Sequence, residues 1–366
     1  MADITDAIDK KIGEVRTKQL DISFSELVSL HQEKELIISP EYQRLFRWTN
    51  EQRSRLIESI LVELPIPQFF VVENDNGVLE LADGLQRMSS VFHFVDSSLL
   101  NLEPPLDPLE LTGCDLVPEL NGKTYDSLPL RWRLHIKRTT VRMVMIQRQS
   151  SYQLRFEMFK RLNTGGSLLS PQEIRNCSAR MVGNAGIRFY SFITDCVSFP
   201  SFQVCIKTLS NTEKEQKTDE ELVLRFFALK NAQDLFTGNI SDWLDKYMDS
   251  VILEDTKFDY DSELKIFKEV FFLLEKSMKE NAFVRFREDE PIGRLAPAYF
   301  ESVTIGVLRV IDCIRNLPTD RIRSKLIEIL QREAFRKNIG SGANTQEKLE
   351  SRIAVVATGL LELLES

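Results

Sequence analysis

Histidine is scarce in this chain. There are three in 366 residues, His31, His93 and His135, widely separated and none in an H-x-x-x-H or Asp-His context. That scarcity argues against histidine-based metal hydrolysis and His-dependent nucleophilic catalysis, and each histidine reads as a structural or surface residue. The five cysteines (Cys114, Cys177, Cys196, Cys205, Cys313) form no C-x-x-C pair. Neither a zinc site nor a disulfide framework is supported, and a reducing, cytoplasmic setting fits best. No apolar run approaches the roughly 18 residues of a membrane span. The start, Met1-Ala2-Asp3-Ile4-Thr5-Asp6, lacks the basic and apolar regions of a signal peptide.

What is present is an ordinary globular composition, 43% hydrophobic and 28% charged, in a chain long enough for two domains. The formal net charge is −8, which argues against a general nucleic-acid coat. Residues 131–161 nevertheless hold nine basic side chains and one acid, Glu157. Within this strip Arg131, Arg133, Lys137 and Arg138 are candidate nucleic-acid contacts. The same strip also suits a solvated helix-and-strand face.

Residues 1–19 read as a charged helical arm. Ser23-Phe24-Ser25-Glu26 is a capping box that predicts a short helix to about Gln32. Leu36 to Ile38 is a short strand, and Glu41 to Trp48 an aromatic, basic loop. Asn50 is a candidate cap for a helix with Leu56, Ile57, Ile60 and Leu61 on one face. Strands are expected over 68–73 and 78–82, joined by a turn at 74–77 and feeding Asp83-Gly84 and a helix over 86–98. Residues 101–130 are proline-rich and loop-like, and Thr139 to Ile146 alternates as a strand. A helix over 151–162 stops at Asn163-Thr164-Gly165-Gly166, and Ser170-Pro171-Gln172-Glu173 starts another.

Beyond about residue 213 only helical patterns remain, over 219–231, 240–252, 262–280, 297–315, 319–336 and 345–364. The fold class is therefore α+β: a mixed domain over 1–212, then an all-α helical domain over 213–366, divided at the polar stretch Ser210 to Lys217. Gly340-Ser341-Gly342-Ala343-Asn344-Thr345 has the look of a phosphate loop. It lacks the G-K-[ST] ending and follows a helix, so a helix–helix connector capped by Asn344 or Thr345 is favoured.

Three polar segments stand out from simple connectors: Pro40 to Trp48, Asp83-Gly84-Leu85-Gln86-Arg87, and Phe159 to Gly166 with Pro171 to Asn176 just after it. Each sets Arg and an amide or carboxylate beside a turn. Arg forks hold phosphate oxygens bidentately, glycine turns let backbone N–H groups approach an anion, and Asp holds Mg²⁺ or orients a water. Read alone, each also has a plain alternative: a surface loop, a hairpin turn and a helix stop.

In order along the chain, Pro40-Glu41-Tyr42-Gln43-Arg44 with Trp48, Leu56 to Leu61 with Leu64-Pro65-Ile66-Pro67, Asp83 to Arg87, Phe159 to Gly166 and Ser170 to Asn176 resemble the N-terminal domain of GmrSD-type modification-dependent restriction enzymes, a family that includes SspE-type defence proteins. The resemblance implies a ParB/sulfiredoxin-like fold with a small mixed sheet. It also implies nucleoside-triphosphate hydrolysis with Mg²⁺, tied to an Asp-Gly-Gln-Gln-Arg signature, that controls a nuclease. By the resemblance Asp83, Gln86 and Arg87 are catalytic and Asp83 is the metal residue. Tyr42, Gln43, Arg44, Gly84, Arg161, Asn163, Gly165 and Gly166 bind nucleotide. Leu85 departs from the signature, standing where the family has its first Gln.

Full-length relatives usually end in an HNH-type nuclease read from Asp-His and later His residues. Here no His follows His135, so the nuclease is expected in a separate partner. The resulting expectation is an NTP-dependent, DNA-associated defence or restriction module with a partner nuclease and no membrane. The alternatives are a non-catalytic nucleotide switch and a structural adaptor.

Overall fold

The computed structural model describes residues 4–13, 16–38, 48–74, 76–148, 150, 158, 161, 170–340 and 342–365. The expected helix over 151–162 falls largely outside them, as do Tyr42, Gln43, Arg44, Asn163, Gly165 and Gly166. By its own contacts the chain divides into two compact units, residues 1–169 with 176–183, and residues 170–175 with 184–366.

The first unit is built on a five-stranded mixed sheet: β1 (Thr17–Ser23), β2 (Leu36–Ile37), β3 (Phe69–Glu73), β4 (Leu79–Asp83) and β5 (Thr140–Ile146), in spatial order β1-β5-β3-β4-β2. β1 with β5 and β3 with β4 are antiparallel; β3 with β5 and β2 with β4 are parallel. Only part of this order is local. The β3–β4 hairpin comes from adjacent residues, whereas β5 inserts between β1 and β3 from more than fifty residues downstream. The N-terminal arm is helical over Ile4–Gly13 (α1) only, because Thr17–Ser23 pairs with β5 as the edge strand.

Helices α2 (Phe24–Gln32), α3 (Asn50–Leu61), α4 (Leu85–Val95) and α5 (Leu130–Arg138) complete this unit. Ser23 caps α2 as its motif predicts, accepting from the Glu26 N–H. At α3 the cap is Thr49 rather than Asn50: Thr49 and Gln52 form a reciprocal capping box. The basic strip at 130–138 is a helix that its composition hides, since Ile136 is its one fully covered apolar side chain. The core joins Phe24, Ile57, Phe69, Val71, Met88, Phe92 and Met143, drawn from helices and strands alike.

The proline-rich stretch after α4 is held by polar side chains buried on α3. Glu58, almost wholly buried, accepts from the backbone N–H groups of Leu116 (2.9 Å) and Val117 (2.7 Å). Ser54 Oγ accepts from the Thr112 N–H at 2.9 Å. His93 Nε2 lies 2.8 Å from the Asp107 carbonyl and so donates, leaving Nδ1 to accept from Arg53 at 3.0 Å. His31 faces the carbonyls of Leu36 and Leu99, and His135 that of Ile60. All three histidines therefore serve main-chain oxygens. Four cysteines are buried, and burial pushes the Cys114 thiol up to about 11 and that of Cys196 to about 12.

The second unit is helical, with one exception to the all-α expectation. Arg285–Arg287 and Glu290–Ile292 pair as a two-stranded hairpin. Helices over Thr218–Asn231, Ile240–Ile252, Tyr260–Met278, Pro297–Ile314, Thr319–Gln331 and Gln346–Leu361 follow the periodicity of the sequence closely. Asn184–Val197 and Pro200–Cys205 belong to this unit too, and Ser210 to Lys217 contains a short capped helix, Asn211–Glu215.

Its core is a phenylalanine cluster in which Phe226, Phe267 and Phe271 touch edge to face or tilted. Through it runs a chain of buried ion pairs: Asp245–Arg175, Arg175–Glu221, Glu221–Arg225, Arg225–Glu301 and Glu301–Arg352. Although burial works against its charge, Glu221 is held below the usual carboxylate range by Arg225 and Arg175. Arg352 also donates to the Ala343 carbonyl, and Thr345 caps the following helix. The Gly340–Thr345 stretch is thus the connector that its pattern favours.

Among the described residues no helix is long and apolar enough to cross a membrane.

The Arg53–His93–Asp107 arrangement sets a pH dependence. Burial and Arg53 depress the His93 pKa below the ordinary imidazole value, against the Asp107 hydrogen bond. The unfolded chain therefore binds a proton at about pH 6.5 that the native state refuses. Thermal stability should be full above that pH and decline as pH falls toward the depressed native value. His93→Gln, which keeps one donor and one acceptor, should flatten the melting temperature between about pH 7 and pH 5; an unchanged slope would exonerate His93.

Candidate functional site

The strand-to-helix turn at Asp83-Gly84 is shaped by a break in the β3–β4 register. Val71 faces Leu81, but Phe70 faces Asp83, so Ala82 is an extra residue in β4. Strand alternation would send Asp83 the same way as Leu79 and Leu81, both buried. The bulge interrupts that alternation, and the Asp83 side chain is left a third exposed, 33%.

Gly84 then turns with φ +107° and stands as the N-cap of α4, a position where it has no side chain with which to cap the helix start. Only glycine fits here. A Cβ on Gly84 would lie 2.4 Å from Cδ1 of Phe69, a ring buried in the sheet and packed edge-on to Phe24. The first-turn N–H groups of α4 lack intrahelical partners, which together with the helix dipole favours an anion there.

Arg87 ties this turn together. Nη2 donates to Asp83 Oδ2 at 2.8 Å, and Nη1 donates to the carbonyls of Pro67 and, at 3.0 Å, Gln68. Its guanidinium lies 5.0 Å over the Phe69 ring. One side chain thus joins the end of β4, the entry to β3 and the first turn of α4. Burial pulls the Arg87 pKa down from its ordinary value and Asp83 works the other way. Arg87 is therefore engaged by internal acceptors in this structure, a use that the motif alone does not reveal.

Gln86 points elsewhere: its Oε1 accepts from the Trp48 N–H at 3.2 Å. That bond brings the end of the Pro40–Trp48 segment onto α4. Leu85, the departure from the signature, is a core residue, 4% exposed. The described structure thus brings Asp83, Gly84, Gln86, Arg87 and Trp48 together. Arg161 is an exposed helical residue.

Arg131, Lys137 and Arg138 are exposed on α5, while Arg133 is half-buried, 3.8 Å from Asp126. Arg175 lies in the quoted Pro171–Asn176 motif and is 2% exposed, bonded to Asp245 and Glu221 within the second unit. Sequence reasoning left it out of the site. Its spacing to the acids of distant helices carried no signal.

Among the described residues no three His, Cys, Asp or Glu side chains gather as a metal set. Asp83 keeps one carboxylate oxygen that no described residue occupies. A lone carboxylate of this kind suits Mg²⁺ carried by phosphate oxygens and water, not a protein-built cage.

The fold and this turn define a mixed α+β domain whose sheet delivers an acidic strand end to a glycine-started helix. Residues 24–179 match the family described as GmrSD restriction endonuclease, N-terminal domain. No curated protein and no solved structure matches the chain.

The close approach of Phe69 separates two glycines that share a left-handed backbone. Gly84→Ala should destabilise by about 2–4 kcal/mol in urea unfolding, whereas Gly77→Ala (φ +80°, open space around it) should lose only about 1 kcal/mol. Equal losses would remove the Phe69 contact as the constraint. Arg87→Ala should also lower stability, by about 1–3 kcal/mol, because it strips partners from Asp83 and two carbonyls. A melting temperature equal to wild type would show that these bonds contribute nothing.

Proposed function

We propose that the 24–179 domain is a ParB/sulfiredoxin-like nucleotide-binding module in a DNA restriction or defence system, and that it takes a nucleoside triphosphate at the start of α4. The observation that carries this reading is the uncapped helix start behind Gly84, with Asp83 bulged outward beside it, inside the segment that matches the restriction-enzyme domain. Phosphate oxygens would lie on the first-turn N–H groups of α4. Asp83 would hold Mg²⁺ through its open oxygen, and the metal would supply charge neutralisation of the phosphates. Gln86 would position nucleotide or water. Arg87 would hold Asp83 in place and reach phosphate on release from its carbonyls. By the family motif Tyr42, Gln43 and Arg44, followed by Trp48 against Gln86, would close one side, and Arg161, Asn163, Gly165 and Gly166 the other. Cleavage of DNA would be supplied by a partner nuclease.

A second reading is a nucleotide switch without turnover. Two observations favour it: Leu85 places an apolar core side chain where the signature has an amide, and Arg87 is held by internal partners.

The two readings separate in one experiment. A thermal-shift panel of the four ribonucleoside triphosphates with Mg²⁺ should raise the melting temperature, by the equivalent of about 3 kcal/mol at a hundredfold excess over the dissociation constant. Asp83→Ala should abolish most of that shift. Release of phosphate over many turnovers, lost in Asp83→Ala, supports the hydrolase; a shift without turnover supports the switch. No shift with any of the four would overturn both.

A further inference from the structure

On the first unit, away from the Asp83 turn in sequence, a groove of about 450 Å³ opens between the end of α3 and the junction of α5 with β5. Leu64, Pro65 and Ile66 form one wall; His135, Arg138 and Arg142 lie on the other. The charges here are poorly matched by acids. Lys137 and Arg138 are exposed and have no acidic partner among the described residues. Among the described residues, Arg142, 56% exposed, pairs with Asp21, itself 61% exposed, in an ion pair that water screens. Glu63 stands 3.9 Å from His135 and is 78% exposed. A net-basic surface on a chain of net charge −8 is a local field that suits an anionic partner.

The cations are strung out rather than converged. Arg131 and Lys137–Arg138 span about 10 Å of helix at 1.5 Å per residue, and Arg142 lines the same groove as Arg138. That length exceeds one phosphate group, so the cations can meet successive phosphates of a strand.

Trp132 decides which form of nucleic acid fits. Its ring is edge-packed on His135, and the Arg131 guanidinium lies 5.0 Å over the ring. Although the ring is 37% exposed, the guanidinium over one face and His135 at its edge make it a poorer platform for an unstacked base than an uncovered indole. We propose that α5 and this groove form a track for the phosphate backbone of duplex DNA, with Arg138 at the groove mouth as its central contact and Arg131, Lys137 and Arg142 on either side. This deepens the DNA-associated part of the proposed function and does not depend on nucleotide binding at Asp83.

The test is fluorescence anisotropy of a labelled 30-base-pair duplex with the full chain between 50 and 200 mM salt. The double substitution Lys137→Glu with Arg138→Glu should weaken binding at least tenfold at 100 mM salt. The milder Lys137→Gln with Arg138→Gln should lower the slope of log affinity against log salt by about 1.8. Arg315→Glu, an exposed residue of the helical unit, should change neither. Melting temperatures establish that the variants fold, and their triphosphate-induced shift should equal that of wild type, so failure here and failure of the nucleotide reading are told apart. The proposal is overturned if wild type does not bind the duplex, if Arg315→Glu weakens binding as much as the double variant, or if a single strand of equal length binds more tightly than the duplex.

Discussion

The Arg87 guanidinium is the bond on which the first unit's candidate site depends. It spans from Asp83 at the end of β4 to the carbonyls of Pro67 and Gln68 at the entry to β3. Beneath it Phe69 fills the space that any side chain on Gly84 would need. Three constraints therefore act on five residues: a bulge that turns Asp83 outward, a glycine that alone fits over the ring, and a cation that holds both strand ends. The sheet thereby fixes the start of α4, where Gly84 as N-cap offers no side chain to the first-turn N–H groups. The same economy makes Arg87 a strut, with its donors turned to acceptors of its own domain.

The helical unit solves a different problem. Its core rings pack densely, yet six charged side chains run through it from Asp245 to Arg352. Isolated, any of these charges would be prohibitively costly to bury; alternating in sign, they neutralise one another. The chain of pairs joins residues from five helices, and so binds their relative positions more specifically than apolar contacts would. Arg175 enters it from the Pro171–Met181 helix, whose first residues belong to this unit and whose remainder belongs to the first.

Much of this architecture was legible in the residues. The six long C-terminal helices, the Ser23 cap and the β3–β4 hairpin all follow from local periodicity and turn chemistry. The misses share a cause, which is that pairing with distant partners overrides local pattern. β1 reads as part of a helical arm because nothing near it announces β5. α5 is too basic to show an apolar face, since a single buried Ile136 suffices to seat it. The hairpin at 285–292 is short and charged and leaves almost no alternation to read.

By itself the sequence determined the likeness of its first half to the restriction-enzyme domain, the mixed-then-helical order and the strand–turn–helix junction at Asp83 to Arg87, because these reside in residue types at short spacing. Only the tertiary structure decided what those residues touch. The outward turn of Asp83 comes from a bulge against β3, which composition does not encode. The glycine requirement at 84 comes from a ring fifteen residues earlier. The partners of Arg87 and Arg175 come from loops and helices brought together by packing. Charge pairs and close approaches are properties of distance in space, and distance in sequence says little about them.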